Sequence, residues 1–350
     1  MNILVIGKFH TESFALHIAE TLEDMKHSVL RFEPGAKGRH ITNDNFLFLK
    51  KVRNSFEGLI AGTDFVQKKQ LKEIEELVNK KIGLTIVTHD FLFPGQVYNI
   101  REKTKAPVVL WHPDHIANCG KFMFMNAAYD FLFFKDPFMV RTFKNNFNLN
   151  SFYLPECCNP KRHYPASLSD KDRGYYSCDI TTAGNMHPSR YAFFKELIDY
   201  DVKIWGPPAS EWMTLGPVKK MMMNKTVFNE EKSKAFQASK IVINNLFPAE
   251  VEGVNVRTFE IPACGGFQIL NWRPGLNQLF EDGKELVSFR NINELKEKID
   301  YYLNNQKERN LIKDAGHIRV MKDHTYELRL SLLIDTTFNH QYGYNLPDSN

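Results

Sequence analysis

The sequence predicts an α/β protein with two domains, each built on a parallel β-sheet, and three observations support this. The chain has 350 residues, whereas single domains usually contain about 100–200. Short apolar runs alternate with segments of helical periodicity along most of its length, which is the pattern of β-α-β units. A polar stretch at residues 160–174 separates two such series, so we interpret it as the interdomain segment.

The first series begins with an apolar run at residues 2–6, which ends at Gly7, and a helical pattern at 13–27. A strand follows at once at 28–32, and this β-α-β unit is the start of a parallel sheet. The other strands of this half are predicted at 84–88, 107–111, 129–134 and 151–154, and its helices at 66–80, 96–103 and 137–145.

The second series repeats the alternation after the polar stretch. Its strands are predicted at 178–182, 202–205, 240–244 and 267–271, and its helices at 189–200, 230–239, 255–264, 293–304, 306–317 and 326–336. Two series of similar size predict two Rossmann-like halves facing each other across a cleft, with ligands at the carboxyl ends of the strands.

The composition excludes several classes of protein. Hydrophobic residues make up 43% and charged residues 25%, as in folded soluble proteins. The net charge of +4 is too small to indicate a nucleic-acid binder. The five cysteines form no C-x-x-C pair, so we expect reduced thiols in a cytoplasmic protein. No apolar run reaches 18 residues, and the N-terminus lacks a signal-peptide pattern, so we expect no membrane span and no secretion.

The turn after the first strand argues against two nucleotide-binding classes. Residues 7–12 read G-K-F-H-T-E, which is neither a G-x-G-x-x-G dinucleotide fingerprint nor a P-loop. An NAD-dependent oxidoreductase is therefore disfavoured. His10 in this turn is a candidate general base, with the alternative that it is simply exposed or caps the following helix.

The most informative stretch lies at residues 252–267. Glu252 and Glu260 are eight residues apart with Arg257 between them. Asn255 is predicted to cap a short helix that Gly265 ends. Such a helix start, together with Arg257, would bind phosphate, and Glu260 could accept hydrogen bonds from a ribose diol. The simpler alternative is an Arg257–Glu260 ion pair at helix spacing.

This stretch resembles the E-x7-E region of retaining GT-B glycosyltransferases. It is more similar still to the N-x-R-x-F-E-I-P-A-C-G-G-F segment of the spore-maturation CgeB-like glycosyltransferases. Segments 279–286 (L-F-E-D-G-K-E-L) and 323–329 (D-H-T-Y-E-L-R) also resemble that family, and so, in the first half, do 111–114 (W-H-P-D) and 153–156 (Y-L-P-E).

The resemblance implies a GT-B fold that holds a UDP-linked sugar donor in its C-terminal domain. Glu260 would contact the ribose, Glu252 the donor sugar or the neighbouring loop, and Arg257 the diphosphate, with Asn255 beside them. It also implies a domain plan of 1–170 for an acceptor-side domain and 171–325 for a donor domain. Residues 326–350 would form a C-terminal helix and tail that cross back to the N-terminal domain.

The same resemblance places a glycine loop after the first strand of the second domain. Gly184 and Asn185 would form that loop, and Arg190 would follow in the next helix. Other GT-B families carry an Arg/Lys pair near this loop, whereas here Arg190 is the only close basic residue before Lys195. This departure from the family pattern leaves the role of Arg190 open.

The predicted reaction is hexosyl or pentosyl transfer, with no cofactor and no metal. An inverting enzyme needs a general base, and His10, His112 and Asp114 all follow predicted strands. Asp114 is the first choice among them. A retaining enzyme needs none, since the leaving phosphate can take the proton.

The acceptor is left open by the sequence. A glycan or lipid-linked saccharide is favoured, and a nucleic-acid base is the alternative because residues 219–225 are basic and rich in methionine. The competing function is a non-catalytic protein of the same fold that binds a nucleotide-sugar or serves a structural role.

Overall fold

The computed structural model describes residues 1–34, 72–74, 76–77 and 81–347, and the chain divides into two compact units. Unit 1 consists of Met1–Pro113, Asn118–Phe133 and Phe143–Phe152. Unit 2 consists of Asp114–Ala117, Phe134–Thr142 and Tyr153–Asn350. The polar stretch at 160–174 and residues 326–350 both belong to unit 2. The domain boundaries expected from the sequence were at residues 170 and 325. The predicted crossing of the final helix to the N-terminal domain stays a prediction.

Unit 1 is organised around a β-sheet whose strands follow the order β2-β1-β3-β4-β5-β6. The pairs β1·β2, β1·β3 and β3·β4 are parallel. The elements of this half are β1 (Asn2–Ile6), α1 (Phe14–Asp24), β2 (Ser28–Phe32), β3 (Leu84–Thr88), α2 (Pro94–Thr104), β4 (Val108–His112), β5 (Phe131–Phe134), α3 (Pro137–Phe147) and β6 (Ser151–Tyr153).

These elements confirm the predicted alternation of the first half to within a few residues. Most of the predicted helix at 66–80 lies outside the described residues, and the five of its residues that are described, 72–74 and 76–77, are helical. Gly7 shows why the first turn is tight. A Cβ at this position would lie 2.2 Å from Thr88 Oγ1 and 2.5 Å from the Ala15 Cβ, so only glycine lets α1 and β3 come this close.

Unit 2 contains a five-stranded sheet of order β11-β10-β9-β7-β8, and its pairs are parallel. Its strands are β7 (Ile180–Ala183), β8 (Val202–Trp205), β9 (Ile241–Asn244), β10 (Gln268–Asn271) and β11 (Val287–Phe289). Its helices are α4 (Asp170–Tyr176), α5 (Pro188–Lys195), α6 (Asn229–Ala238), α7 (Arg257–Ala263), α8 (Ile292–Asn304), α9 (Gln306–Asp323) and α10 (Tyr326–Asn339).

Two elements of unit 2 were not predicted, namely β11 and α4. Helix α4 lies within the polar stretch and has a capping box, in which Ser169 accepts from the Asp172 backbone N–H and Asp172 accepts from that of Ser169. The S-x-x-D spacing is itself a helix-start signal. The sequence therefore contained the information for α4, but polarity alone suggested a linker.

The core explains the methionine-rich segment and the cysteines. Met221 and Met222 are buried in the core cluster of unit 2, whereas Lys219 and Lys220 are exposed. All five cysteines are described, buried and outside any disulfide, which confirms the prediction of reduced thiols. Among residues 1–34, 72–74, 76–77 and 81–347, no helix has the length and apolar character needed to cross a lipid bilayer.

The segment H-T-Y-E-L-R at residues 324–329 forms a buried network of hydrogen bonds. The Arg329 guanidinium donates to the backbone oxygens of Pro155 and Asp323, both at 3.1 Å, and lies 2.7 Å from His324 Nδ1. Burial, with the adjacent Arg329 charge, lowers the pKa of His324 to about 3, so this imidazole is neutral and accepts the Arg329 hydrogen bond. The motif thereby joins the start of α10 to the segment after β6.

Two helical glycines should respond oppositely to substitution by alanine. A Cβ on Gly316 in α9 would lie 2.2 Å from the Glu285 backbone oxygen, so we expect Gly316→Ala to lower the free energy of unfolding by about 1–3 kcal/mol. Gly174 in α4 has open space around its Cα, so Gly174→Ala should raise that free energy by about 0.5–1 kcal/mol. Urea unfolding measures both, and equal effects would contradict the close approach of α9 to Glu285.

Candidate functional site

The site is centred on Gly184, the residue that follows β7. Its φ of 135° is in the region that side chains disfavour, and its N–H donates to the Trp205 carbonyl at 2.8 Å. A Cβ at this position would lie 2.6 Å from Arg190 Nη1 and 2.8 Å from Arg257 Nη1. Both guanidinium groups therefore pack against Gly184, at the carboxyl end of a parallel strand.

Arg190 is fixed there by neutral oxygen atoms. It is buried in α5, and its Nη2 contacts Thr182 Oγ1 and the Ala183 carbonyl. Its Nη1 donates to the carbonyl of Asn185, whose side chain is exposed, at 3.4 Å. Its Nε is buried and has no hydrogen-bond partner in the part of the chain that the structure describes. The charge of Arg190 is thus positioned but not neutralised.

Arg257 is half-buried at the first position of α7. Its Nε also lacks a partner among the described residues. Burial lowers the pKa of both arginines, and the Arg257 charge lowers that of Arg190 further. Within the described ranges, neither guanidinium lies within 4.0 Å of a carboxylate oxygen, so the alternative of an Arg257–Glu260 ion pair is wrong. Two adjacent cations that form no ion pair with a carboxylate among the described residues make an anion site of the kind a diphosphate fits.

Glu260, the residue assigned to the ribose, is buried and already paired. Its Oε1 lies 3.1 Å from Lys232 Nζ and 3.3 Å from His163 Nε2. Burial would raise the pKa of Glu260, but Lys232, His163 and Arg257 outweigh it and lower it to about 2. Burial lowers the pKa of His163 to about 4. An ionised Glu260 in α7 thus forms an ion pair with Lys232 in α6.

The predicted N-cap at Asn255 is wrong, because the amide of Asn255 is used elsewhere. Its side chain forms two reciprocal hydrogen bonds of 3.0 Å with Asn244 at the end of β9, and α7 starts only at Arg257 after Val256. Gly265 follows the helix with a φ of 75°, as predicted for a C-terminal cap. The amide pair joins the segment before α7 to the end of β9 and so fixes the start of α7 at Arg257.

Glu252, the residue assigned to the donor sugar, forms an ion pair with Arg141. Its backbone N–H donates to the Asp136 carboxylate. A Cβ on Gly253 would lie 2.6 Å from the Lys135 backbone oxygen, so this loop packs tightly on the segment after β5. These contacts give Glu252 an anchoring role in the structure.

A buried charge cluster nearby was missed by the sequence analysis. Lys135 Nζ lies 2.7 Å from Glu250 Oε1 and 3.4 Å from Glu156 Oε2, and all three residues are buried. Burial alone would lower the pKa of Lys135, but Glu156 and Glu250 raise it overall. The available signal was position, since Lys135 follows the last residue of β5 and Glu250 lies in the loop after β9.

Glu156 carries a proton at neutral pH. Burial raises its pKa, Lys135 offsets this only in part, and the charges of Glu250 and Asp114 raise it further, to about 8. Lys135 thus lies between two buried carboxyl groups, of which Glu156 has a raised pKa. Glu250 and Glu156 are also close enough to Arg257 to interact with its charge.

The predicted catalytic residues are distributed over both units. His10 is exposed and His112 is buried at the end of β4, both in unit 1. Asp114 belongs to unit 2, where its charge acts on Lys135 and Glu156. Asp114 is therefore the one whose environment joins it to the cluster described above.

His115 shares a phenyl ring with His187, the residue that precedes α5. Its ring stacks on Phe247 with centroids 4.7 Å apart and planes at 11°, and His187 contacts the same phenyl ring. Burial and the charges of Arg190, Arg257 and His115 lower the pKa of His187 to about 4. His187 is therefore a neutral cap of α5, accepting from the Arg190 backbone N–H at 3.3 Å.

Comparisons with known proteins find a similar family over part of the chain. Residues 190–335, which include both arginines, match a family model described as glycosyl transferase-like. This match covers less than half of the chain. No curated protein matches the sequence significantly.

Three solved structures show the fold. A glycosyltransferase from Rickettsia africae is 13% identical with a TM-score of 0.68, covering 97% of this chain and 98% of its own. Sucrose-phosphate synthase from Thermosynechococcus elongatus is 11% identical with a TM-score of 0.67, covering 97% and 100%. Anabaena HepE in complex with UDP-glucose is 11% identical with a TM-score of 0.64, covering 96% and 99%. The α/β class with two parallel sheets of GT-B type is thereby confirmed.

The raised pKa of Glu156 predicts how stability depends on pH. Its pKa rises from 4.5 to about 8 in the folded protein, so between these values the folded state binds a proton that the unfolded state releases. This group therefore favours folding fully below pH 4.5, and its contribution is lost as pH rises toward 8. In Glu156→Gln the decline in stability from pH 5 to 8 should be smaller than in the wild type.

Urea unfolding at pH 5, 6, 7 and 8 measures this decline. Glu230→Gln, an exposed carboxylate in α6, serves as the control and should follow the wild-type curve. If Glu156→Gln declines as steeply as the control, Glu156 is ionised in the folded protein and the interpretation is wrong.

Proposed function

We propose that the protein is a glycosyltransferase that moves a hexosyl or pentosyl group from a nucleotide-diphosphate sugar, with UDP as the favoured nucleotide. The observation that carries this is the pair of guanidinium groups on Gly184, which lack a carboxylate partner throughout the described residues. The likeness to HepE, whose structure contains UDP-glucose, supports the donor class. The CgeB-like motifs support assignment to that subfamily.

The chemistry follows from where the charge develops. Breaking the bond between the anomeric carbon and the phosphate oxygen leaves negative charge on the diphosphate. Arg190 and Arg257 are positioned before the reaction and stabilise that charge as it grows, and removing one such donor typically costs about 10²–10³ in rate. Because two fixed cations supply this positive charge, we propose that transfer requires neither a divalent metal nor a cofactor.

The other predicted residues take supporting roles in the proposal. Asp114 is the first candidate for activating the acceptor, followed by His112 and His10. Glu260 acts on the donor through Lys232, and Asn255 through the placement of Arg257. The favoured acceptor is a glycan or lipid-linked saccharide, and a cytoplasmic location stays a prediction.

Donor binding is tested by thermal unfolding with UDP, GDP, TDP, CMP and NAD, each with and without EDTA. A ligand at 100 times its Kd stabilises the protein by about 2.7 kcal/mol, which raises Tm by several degrees for units of this size. We expect such a rise with one nucleoside diphosphate, unchanged by EDTA. Arg257→Ala should remove most of it, since a hydrogen bond to a charged group is worth about 1.5–3 kcal/mol.

Arg173→Ala, an exposed arginine in α4, is the matched control and should keep the full rise. If none of the nucleotides raises Tm, or if only NAD does, the donor assignment is overturned. Donor binding without turnover in an acceptor screen that spans glycans and DNA would favour the non-catalytic alternative.

A further inference from the structure

The carboxylate of Glu250 has one oxygen that accepts no hydrogen bond from the described residues. Glu250 is 3% exposed, and its Oε1 is 2.7 Å from Lys135 Nζ. Its Oε2 is buried and has no hydrogen-bond partner in the described part of the chain. A buried carboxylate oxygen without a donor is costly, so its retention points to a donor that a ligand supplies.

The position of Glu250 indicates which part of a ligand this is. Its charge acts on Arg257, one of the two cations on Gly184, and its backbone oxygen accepts from Arg273 Nε at 2.6 Å. The loop that carries it is held by Arg273 and leads directly into α7, whose first residue is Arg257. In a nucleotide-sugar, the group attached next to the diphosphate is the sugar, and its hydroxyl groups are hydrogen-bond donors.

A second buried polar atom supports the same conclusion. His115 is 8% exposed, and its Nδ1 also lacks a partner among the residues described. Its ring is stacked on Phe247, which lies in the same loop as Glu250. Two unsatisfied polar atoms are thus associated with one loop: one belongs to Glu250, and the other to a ring stacked on Phe247 of the same loop.

Glu252 is less suited to contact a sugar, although it is the residue that the motif assigned. Its carboxylate is paired with Arg141, and its backbone is held by Asp136. A ligand bound to Glu252 would break an existing ion pair, whereas a hydrogen bond to Glu250 Oε2 would replace no bond among the described residues.

We propose that Glu250 is a specificity-determining residue that accepts hydrogen bonds from hydroxyl groups of the transferred sugar through its Oε2. Because the group is an anion, it favours a neutral sugar and disfavours a uronic acid, whose carboxylate it would repel. This inference rests on the proposed function, since it requires a nucleotide-sugar on the arginine pair.

The experiment compares the Kd of UDP with the Kd of UDP-glucose, UDP-galactose, UDP-N-acetylglucosamine and UDP-glucuronate by calorimetry. If the thermal panel selects another base, the corresponding nucleotide and sugar esters replace these. We expect the wild type to bind at least one neutral-sugar ester more tightly than the glucuronate ester. In Glu250→Gln the Kd of that neutral ester should rise about tenfold or more, while the Kd of UDP changes less than about twofold.

Glu156→Gln is the matched control, because it removes the other carboxylate on Lys135 by the same substitution. It should change neither Kd by more than about twofold. Glu250→Asp keeps the charge and the lysine partner but withdraws the carboxylate by one methylene, so it should weaken the neutral ester selectively even if Glu250→Gln unfolds. Circular dichroism checks the fold of each variant.

The outcomes separate this inference from the proposed function. Failure of the wild type to bind any nucleoside diphosphate would refute the proposed function itself. Normal UDP binding with equal effects of Glu250→Gln on UDP and on the sugar ester, or with no effect on either, would refute the sugar contact alone. Tighter binding of the glucuronate ester by the wild type would refute the preference for a neutral sugar.

Discussion

The close approach of two positive charges, those of Arg190 and Arg257, at Gly184 is the constraint on which the rest of the site depends. Like charges in a partly dry environment repel each other and lose hydration, so the surrounding elements must fix them. Arg190 is held by the neutral oxygens of Thr182, Ala183 and Asn185, and Arg257 by a helix whose start depends on the Asn244–Asn255 amide pair. None of these contacts neutralises the cations, which leaves them to a bound anion.

The buried carboxylates around this pair are each managed differently. Glu260 is ionised because Lys232 and His163 surround it, Glu250 is paired on one oxygen with Lys135, and Glu156 is kept neutral. All three carboxyl groups act electrostatically on Arg257, but the ion pairs found for Glu260 and Glu250 are with lysines.

The departure noted at the glycine loop has a structural answer. The expected second cation near Gly184 comes not from Lys195, which is exposed at the end of α5, but from Arg257, more than seventy residues later in the chain. Sequence proximity could not reveal this, because the two arginines meet only where β7 and β9 pair in the sheet. The motif containing Arg257 was visible, but its partner was not.

The sequence by itself determined the alternation of strands and helices, the two parallel sheets and the region that carries the anion site. These depend on local periodicity and on motifs within a few residues. The tertiary structure decided which polar groups are satisfied: Asn255 pairs with Asn244, Glu252 with Arg141, and Glu250 and His115 keep a buried atom without a partner among the described residues. Hydrogen bonding of a buried side chain depends on neighbours far apart along the chain, so no local pattern specifies it.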